Sequence, residues 1–121
     1  MILVDTSVWI DHFRVGDKRL AGILETGSVL AHPFVVAEIA LSNPPRRQTI
    51  LRRLRGLPQA ETVTAREVML FIEEHSLFGQ GIGFVDVHLL AACRLTSDTL
   101  LWTRDRRLKS VAERLGLAAD G

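Results

Sequence analysis

The chain has 121 residues, of which 47% are hydrophobic and 24% charged, and its formal net charge is +1. This length suits one domain with its own core, while the small charge excludes a protein that binds polyanions over its whole surface. The single cysteine excludes an internal disulfide bond, and no apolar run approaches the roughly 18 residues that a membrane helix needs. Because no basic segment that would open a signal peptide precedes residue 5, we expect a cytoplasmic protein.

Short apolar segments alternate with longer segments of helical periodicity. In chain order, the pattern predicts a strand at 1–4, helices at 8–13 and 19–25, a strand at 28–31, helices at 34–41 and 46–55, a weak strand at 61–63, helices at 65–77 and 84–95, a strand at 100–102 and a helix at 108–115. The first strand is entirely apolar, as is typical of a parallel strand that is covered on both faces. This alternation indicates an α/β fold with a parallel central sheet and helices on both faces.

Two of the predicted helices carry more specific signals. Thr64 and Glu67 have the spacing of a capping box at the start of the helix at 65–77, and Val68, Met69 and Ile72 are predicted to face inward from it. The helix that begins near residue 84 is apolar nearly all round. We therefore expect that helix to lie at the centre of the domain.

Three of the fourteen acidic residues interrupt apolar segments. Asp5 follows the first strand directly, and Glu38 and Asp86 lie inside predicted helices. A buried carboxylate without a partner is costly in free energy, so these positions require a cation or a hydrogen-bonding role. A fourth acid, Asp105, comes soon after the third strand. The other ten acidic residues are predicted to be solvated surface charges, and they include Asp11 and Asp17.

The predicted sheet favours a single site for these four acids. In open parallel sheets, sites form beyond the carboxyl ends of the strands, where Asp5 and Asp105 lie. No lysine or arginine falls inside the apolar segments, and hard divalent cations such as Mg²⁺ and Mn²⁺ prefer oxygen ligands. Alternative structural roles remain open: Asp5 and Asp105 could cap helices, Asp86 could offset a helix dipole, and Glu38 could be half-exposed.

The segments around the four acids resemble the motifs of PIN domains, specifically the VapC toxins of prokaryotic toxin–antitoxin pairs. Val-Asp-Thr-Ser-Val-Trp-Ile-Asp, at residues 4–11, looks like the opening motif of that family. Glu38 matches the second acidic position, Asp86 matches the third in a helix rich in leucine and alanine, and Asp105 resembles the fourth. Family members often carry another acid two residues after the fourth, where this chain has an arginine. The resemblance spans residues 1–121 in order and spacing, as expected of a single PIN-like domain.

The resemblance implies an endoribonuclease that cleaves RNA with Mg²⁺ or Mn²⁺, forms homodimers and is inhibited by a cognate antitoxin. It also implies that Asp5, Glu38, Asp86 and Asp105 are the catalytic and metal-binding residues, with Glu38 binding metal directly or through water. The number of metal ions, one or two, stays open. The cation would activate the water that attacks the phosphodiester.

Several other side chains are expected to assist or to be structural. Thr103 or Ser7 would support the acids, with Thr6 a further candidate, although simple capping is equally compatible with the sequence. Two basic clusters could hold RNA phosphates or be solvated surface, namely Arg46, Arg47, Arg52, Arg53 and Arg55, and Arg104, Arg106, Arg107 and Lys109. Structural or surface roles are predicted for His12, His32, His75 and His88. Core positions are predicted for Met69 and Cys93, and Trp9 is expected to belong to the core or to a dimer contact rather than to stack on bases.

Other functional classes fit the sequence less well. A haloacid-dehalogenase-like phosphatase would need a second acid two residues after Asp5, where the chain has Ser7. A receiver domain would need a lysine after a late strand, and residues 100–105 contain none. A non-catalytic module that binds RNA or a partner on the same fold remains an alternative. A cleavage assay with and without EDTA separates that module from the nuclease.

Overall fold

The structure is a computed structural model and describes residues 1–119; the last two residues of the predicted domain, 120 and 121, lie outside the described part. Within it the strands are β1 (Ile2–Val4), β2 (Val29–Leu30) and β3 (Leu100–Trp102). The helices are α1 (Thr6–Val15), α2 (Lys18–Glu25), α3 (Pro33–Leu41), α4 (Arg47–Arg55), α5 (Ala65–His75), α6 (Phe84–Leu95) and α7 (Arg106–Arg114). None of these helices combines the length and the hydropathy that crossing a membrane requires.

The three strands form one parallel sheet in the order β2-β1-β3. Single parallel bridges extend it at both edges, from Ala31 to Gln59 and from Leu101 to Ala118. Because β3 pairs with the central strand β1 and runs parallel to it, the carboxyl ends of both strands lie at the same end of the sheet. The N–H group of Asp5 donates to the Trp102 carbonyl there, at 2.9 Å. The residues that follow β1 and β3 are therefore neighbours.

Both faces of the central strand are buried. Leu3 and Val4 are each 0% exposed, and successive residues of a strand point to opposite faces of the sheet. Helices must therefore cover both faces, which confirms the predicted α/β architecture with its parallel central sheet.

The central helix and the capping box were predicted correctly. Helix α6 has the predicted bounds, and all residues from Val87 to Cys93 are buried. At the start of α5, the Glu67 N–H donates to Thr64 Oγ1 at 3.1 Å and the Thr64 N–H donates to Glu67 Oε1 at 2.9 Å. These reciprocal bonds satisfy two N–H groups that a helix start leaves without intrahelical partners.

Two local predictions were wrong. Residues 61–63 do not form a strand, because Pro58 and Ala60 already satisfy the backbone groups of Ala31 at this edge of the sheet. Met69 is 57% exposed rather than part of the core. The buried stripe of α5 is centred on Val68 and Phe71, three residues apart, so Met69 lies to its side.

Candidate active site

Asp5 lies where the chain passes from β1 directly into α1. It occupies the N-cap position of α1, yet its side chain makes no capping hydrogen bond. Its Oδ2 atom instead accepts hydrogen bonds from Ser7 Oγ at 2.9 Å and from Thr103 Oγ1 at 2.7 Å. Only 7% of Asp5 is exposed. The capping alternative for Asp5 is therefore wrong, whereas the contacts expected from Ser7 and Thr103 are present.

The two hydroxyl groups also bind the loop that follows β3. Ser7 Oγ accepts a hydrogen bond from the Arg104 N–H at 3.0 Å, and Thr103 Oγ1 accepts one from the Asp105 N–H at 3.1 Å. A hydroxyl has one proton to donate, and here each hydroxyl donates it to Asp5. The network thus fixes the orientation of the Asp5 carboxylate and supplies it with donors only.

Glu38 lies on α3, which packs against α1, and its side chain is half-buried. Thr6, the first residue of α1, donates from Oγ1 to Glu38 Oε1 at 2.6 Å. Three consecutive positions, Asp5, Thr6 and Ser7, therefore contribute to the acidic site. The contribution of Thr6 follows from the opening motif but could not be assigned to Glu38 from the sequence.

The remaining two acids lie in the first turns of helices. Asp86 Oδ2 accepts a hydrogen bond from the Gly83 N–H at 2.9 Å, at the start of α6. Asp105 is exposed and caps α7: its Oδ1 accepts from the N–H groups of Arg107 and Leu108, both at 3.0 Å. The capping role considered for Asp105 is thus present, and it occupies one of the two carboxylate oxygens.

The same pattern holds for all four carboxylates, hereafter the four site acids. Each uses one oxygen for hydrogen bonds to the protein, while the other oxygen has no hydrogen-bond partner within residues 1–119. The oxygens without a partner are Asp5 Oδ1, Glu38 Oε2, Asp86 Oδ1 and Asp105 Oδ2. Hydrogen bonds therefore hold each side chain while one anionic oxygen stays available to a ligand.

The four site acids also act on one another electrostatically. The pKa of Asp86 is raised, first because burial disfavours its charged form and further by the charges of Asp5, Asp105 and Glu38; the hydrogen bond from Gly83 opposes this rise. Within residues 1–119, no lysine or arginine side-chain nitrogen lies within 4 Å of a carboxylate oxygen of any of the four. No ion pair within the described residues therefore offsets the charges of the four site acids.

The chemistry of the donor set fits a hard divalent cation. All four available donors are carboxylate oxygens, which Mg²⁺ and Mn²⁺ prefer over nitrogen or sulfur. In the described part of the chain, however, no three Asp, Glu, His or Cys side chains come close enough together to form a metal-binding group. Mutual repulsion of unpaired carboxylates favours such a spread arrangement.

The basic residues that follow β3 differ in their contacts. Arg104 binds Asp11 through Nη1 and Asp17 through Nη2, so these two acids are not the purely solvated charges predicted. Asp17 also caps α2 by accepting from the Leu20 N–H at 2.9 Å. Its position just before a helix was a usable signal for the cap, but no local pattern indicates the pairing with Arg104.

Two other arginines of the predicted clusters have structural contacts. The Arg107 side chain lies against the backbone of Gly81, where a Cβ atom would come within 2.7 Å of its Cδ atom. Gly81 also has a φ of +77°, so glycine is favoured there for two reasons. Arg47 donates from Nε and Nη2 to the Ala40 carbonyl, at 3.0 and 2.7 Å. The Arg47 guanidinium is thus partly occupied by the chain itself.

The histidine, tryptophan and cysteine predictions agree with the structure. His32 is fully buried and caps α3 by accepting from the Phe34 N–H at 3.0 Å; burial, together with the charge of His88, lowers its pKa to about 4. His88 is buried between Phe34 and Phe84. Trp9 belongs to the core. Cys93 is buried as well, which raises the pKa of its thiol to about 12.

Comparisons with known proteins identify the family of this chain. The PIN domain profile matches residues 2–114. Two relatives named Ribonuclease VapC32, from two strains of Mycobacterium tuberculosis, are each 42% identical over 118 residues, which is 98% of this chain and 95% of the relative. The crystal structure of PAE2754 from Pyrobaculum aerophilum has a similar fold, with a TM-score of 0.67 at 17% identity, over 98% of this chain and 87% of that one. The chain therefore belongs to the PIN domain family.

Proposed function

We propose that this chain is a Mg²⁺- or Mn²⁺-dependent endoribonuclease and the toxin of a VapBC-type toxin–antitoxin pair. Its 42% identity to relatives named as ribonucleases supports the class of activity. The observation that carries the proposal is the set of four site acids, each with one oxygen available and none paired with a lysine or arginine within residues 1–119. Such a cluster is costly in free energy unless a cation joins it.

The residues that would hold the cation are Asp5, Glu38, Asp86 and Asp105. When bound, a divalent cation supplies an activated water at neutral pH and offsets negative charge on the phosphate. The chain itself contributes orientation: Ser7 and Thr103 fix Asp5, and Thr6 fixes Glu38. These hydroxyls keep the carboxylates in place before the substrate arrives, which lowers the entropic cost of assembling the site.

The partners in this proposal are an RNA substrate, a cognate antitoxin protein and a second copy of the chain. The names of the relatives support the first two. Exposed apolar side chains on α5 and α6, Leu70 at 61% and Leu95 at 60%, support a homodimer, since such residues gain from burial in an interface. We further propose that residues 1–121 act as one domain in the cytoplasm.

The test of the nuclease proposal is Asp5→Asn, which preserves the size of the side chain and removes one negative charge. Wild-type protein should cleave a mixed cellular RNA in Mn²⁺ and lose this activity in EDTA, and Asp5→Asn should lose it in Mn²⁺. The matched control is Asp98→Asn, because Asp98 is an exposed acid whose φ of 55° suits asparagine. This control should cleave at the wild-type rate.

Circular dichroism would verify that both variants fold. Cleavage by a folded Asp5→Asn protein at the wild-type rate would contradict the role of Asp5. Wild-type protein that binds RNA but never cleaves it, with or without metal, would instead support the non-catalytic binding module.

A further inference from the structure

A cavity of about 570 Å³ lies where β3 ends and α7 begins. Thr103 lines this cavity, and it is also the residue that donates to Asp5 Oδ2. The cavity and the acidic site therefore share a side chain. A volume of this size lies within the range of natural ligand pockets.

Most of the charged side chains around the cavity are basic. Arg19, Arg104, Arg106 and Lys109 line it, together with a single acid, Asp17. Arg104 is bound by carboxylates, whereas the other three basic side chains are exposed and have no carboxylate oxygen within 4 Å in the described part of the chain. The cavity thus presents positive charge, in contrast to the negative charge of the four site acids.

The three remaining basic side chains reach this cavity from α2 and α7. The guanidinium of Arg19 lies over the ring of the buried Trp102, with its central carbon 4.6 Å from the ring centroid. A guanidinium stacked on an aromatic ring loses rotational freedom but keeps its N–H edges available to donate. On α7, Arg106 and Lys109 are three residues apart and so share a helix face.

We propose that Arg19, Arg106 and Lys109 form a subsite for a backbone phosphate of the RNA strand, adjacent to the phosphodiester that lies at the four site acids. This inference rests on the proposed function. A phosphate suits the cavity because it matches the planar donor edge of an arginine and the point charge of a lysine. The subsite would also offset the repulsion between the RNA strand and the acids.

The binding experiment uses the full chain carrying Asp5→Asn, so that RNA is bound but not cleaved. The affinity for a fluorescent single-stranded oligoribonucleotide is measured by anisotropy over a range of salt concentrations. Arg19→Gln, Arg106→Gln and Lys109→Gln should each reduce the slope of log K against log salt by about 0.7, which corresponds to an affinity about fivefold lower at 0.1 M salt. The matched control is Arg66→Gln, an exposed arginine on α5, which should change the affinity less than twofold.

A second substitution tests the stacked geometry of Arg19. Arg19→Lys keeps the positive charge but removes the planar contact with Trp102, so the salt slope should stay unchanged. Because the lysine is no longer held in place before RNA binds, we expect the affinity to fall about two- to tenfold, the range for ordering one flexible side chain on binding. An affinity equal to that of the parent would mean that the stacking has no part in binding and would overturn this part of the proposal.

The position of the phosphate is tested with oligoribonucleotides that carry one neutral methylphosphonate at successive linkages. One linkage should weaken binding to the parent protein but not weaken it further in the double variant Arg19→Gln, Lys109→Gln, because the lost charge and the lost cations belong to the same contact. Additive losses at every linkage, or an equal loss with Arg66→Gln, would overturn the subsite.

Polyglutamate serves as a second probe, because it is a polyanion without phosphate. A loss of polyglutamate binding with unchanged RNA binding would assign the cavity to an acidic protein segment and overturn the proposal. None of these measurements requires cleavage. An inactive wild-type protein would therefore contradict the proposed function while the test of the phosphate subsite still gave its own result.

Discussion

Two sets of acidic side chains lie near the ends of β1 and β3, and their charges are handled in opposite ways. Asp11 and Asp17 share the guanidinium of Arg104. The four site acids, by contrast, have hydroxyl and backbone N–H donors but no lysine or arginine side-chain nitrogen within 4 Å in the described residues. Acids of the first set are paired with a cation of the chain itself, whereas those of the second set keep an oxygen available to the cation that we propose.

The contacts of these side chains distinguish carboxylates with a structural role from carboxylates that are available to a ligand. A paired carboxylate at a helix start is fully explained by capping and by its ion pair. Burial and the charges of neighbouring carboxylates raise the pKa of Asp86, and a charge disfavoured in this way works against folding. A chain that keeps such a cluster, although arginines lie close by, is expected to obtain the missing stability when it binds its ligand.

The largest expected effect is on thermal stability. Mg²⁺ or Mn²⁺ at a hundredfold excess over Kd should stabilise the wild type by about 2.7 kcal/mol, or about 10 °C in Tm for a domain of this size. The double variant Asp5→Asn, Asp86→Asn should lose this increment, since two of the four site acids are neutralised. The matched double variant Asp11→Asn, Asp17→Asn should keep it. Differential scanning calorimetry with and without metal measures the Tm of the wild type and of both double variants. A wild-type Tm that does not change in millimolar metal would mean that the four site acids do not bind a cation.

A smaller effect is expected from the hydroxyl of Thr103. Thr103→Val removes the donor to Asp5 Oδ2 while preserving shape, and it should raise the Mn²⁺ concentration for half-maximal cleavage about 10- to 100-fold. Thr103→Ser restores the hydroxyl and should recover most of this loss. The control is Thr62→Val, an exposed threonine outside the helices and strands. An unchanged metal requirement in Thr103→Val would mean that Ser7 alone orients Asp5.

The sequence was sufficient to predict the features that depend on local pattern. Short apolar runs located β1 and β3 because a covered parallel strand must be apolar on both sides. Asp5, Glu38 and Asp86 were conspicuous for a related reason, since each charge interrupts a segment that is otherwise apolar. Parallel strands were enough to place Asp5 and Asp105 at the same end of the sheet, whereas the order β2-β1-β3, which brings Asp5 and Thr103 into contact, was not predicted.

Contacts between distant segments could not be predicted. Arg104 is 93 residues from Asp11, and nothing in either local sequence indicates that they pair. The stacking of Arg19 on Trp102 could not be predicted either, because the two residues are far apart in the sequence. Nor could the sequence predict which oxygen of each site acid accepts hydrogen bonds from the protein. The weak strand at 61–63 failed because an edge of the sheet was already satisfied by other backbone groups, which depends on the tertiary arrangement.

The smallest expected effect concerns Asp17, which pairs with Arg104 and caps α2. Asp17→Ala removes both the cap of α2 and the ion pair with Arg104 and should lower the free energy of unfolding by about 1 kcal/mol, mostly through the lost cap. Asp17→Asn keeps the cap and should lose much less. Urea denaturation at pH 7 compares the three proteins, and equal losses in both variants would mean that the charge matters more than the cap.

The pH dependence of the free energy of unfolding shows whether the charge of Asp17 stabilises the fold. The pKa of Asp17 is lowered from 3.8, first by the hydrogen bond from the Leu20 N–H and further by Arg104, although burial opposes this. A lowered folded-state pKa means that the charged form stabilises the fold above the unfolded value, and that this contribution disappears as the pH falls through the folded value. The advantage of the wild type over Asp17→Asn should therefore be constant from pH 7 to about pH 5 and should shrink below 3.8. An advantage that grew on acidification would require a raised pKa and would contradict the pairing of Asp17 with Arg104. The ion pair is partly exposed, so the difference is expected to be small at any pH, in contrast to the effect of metal on the four site acids.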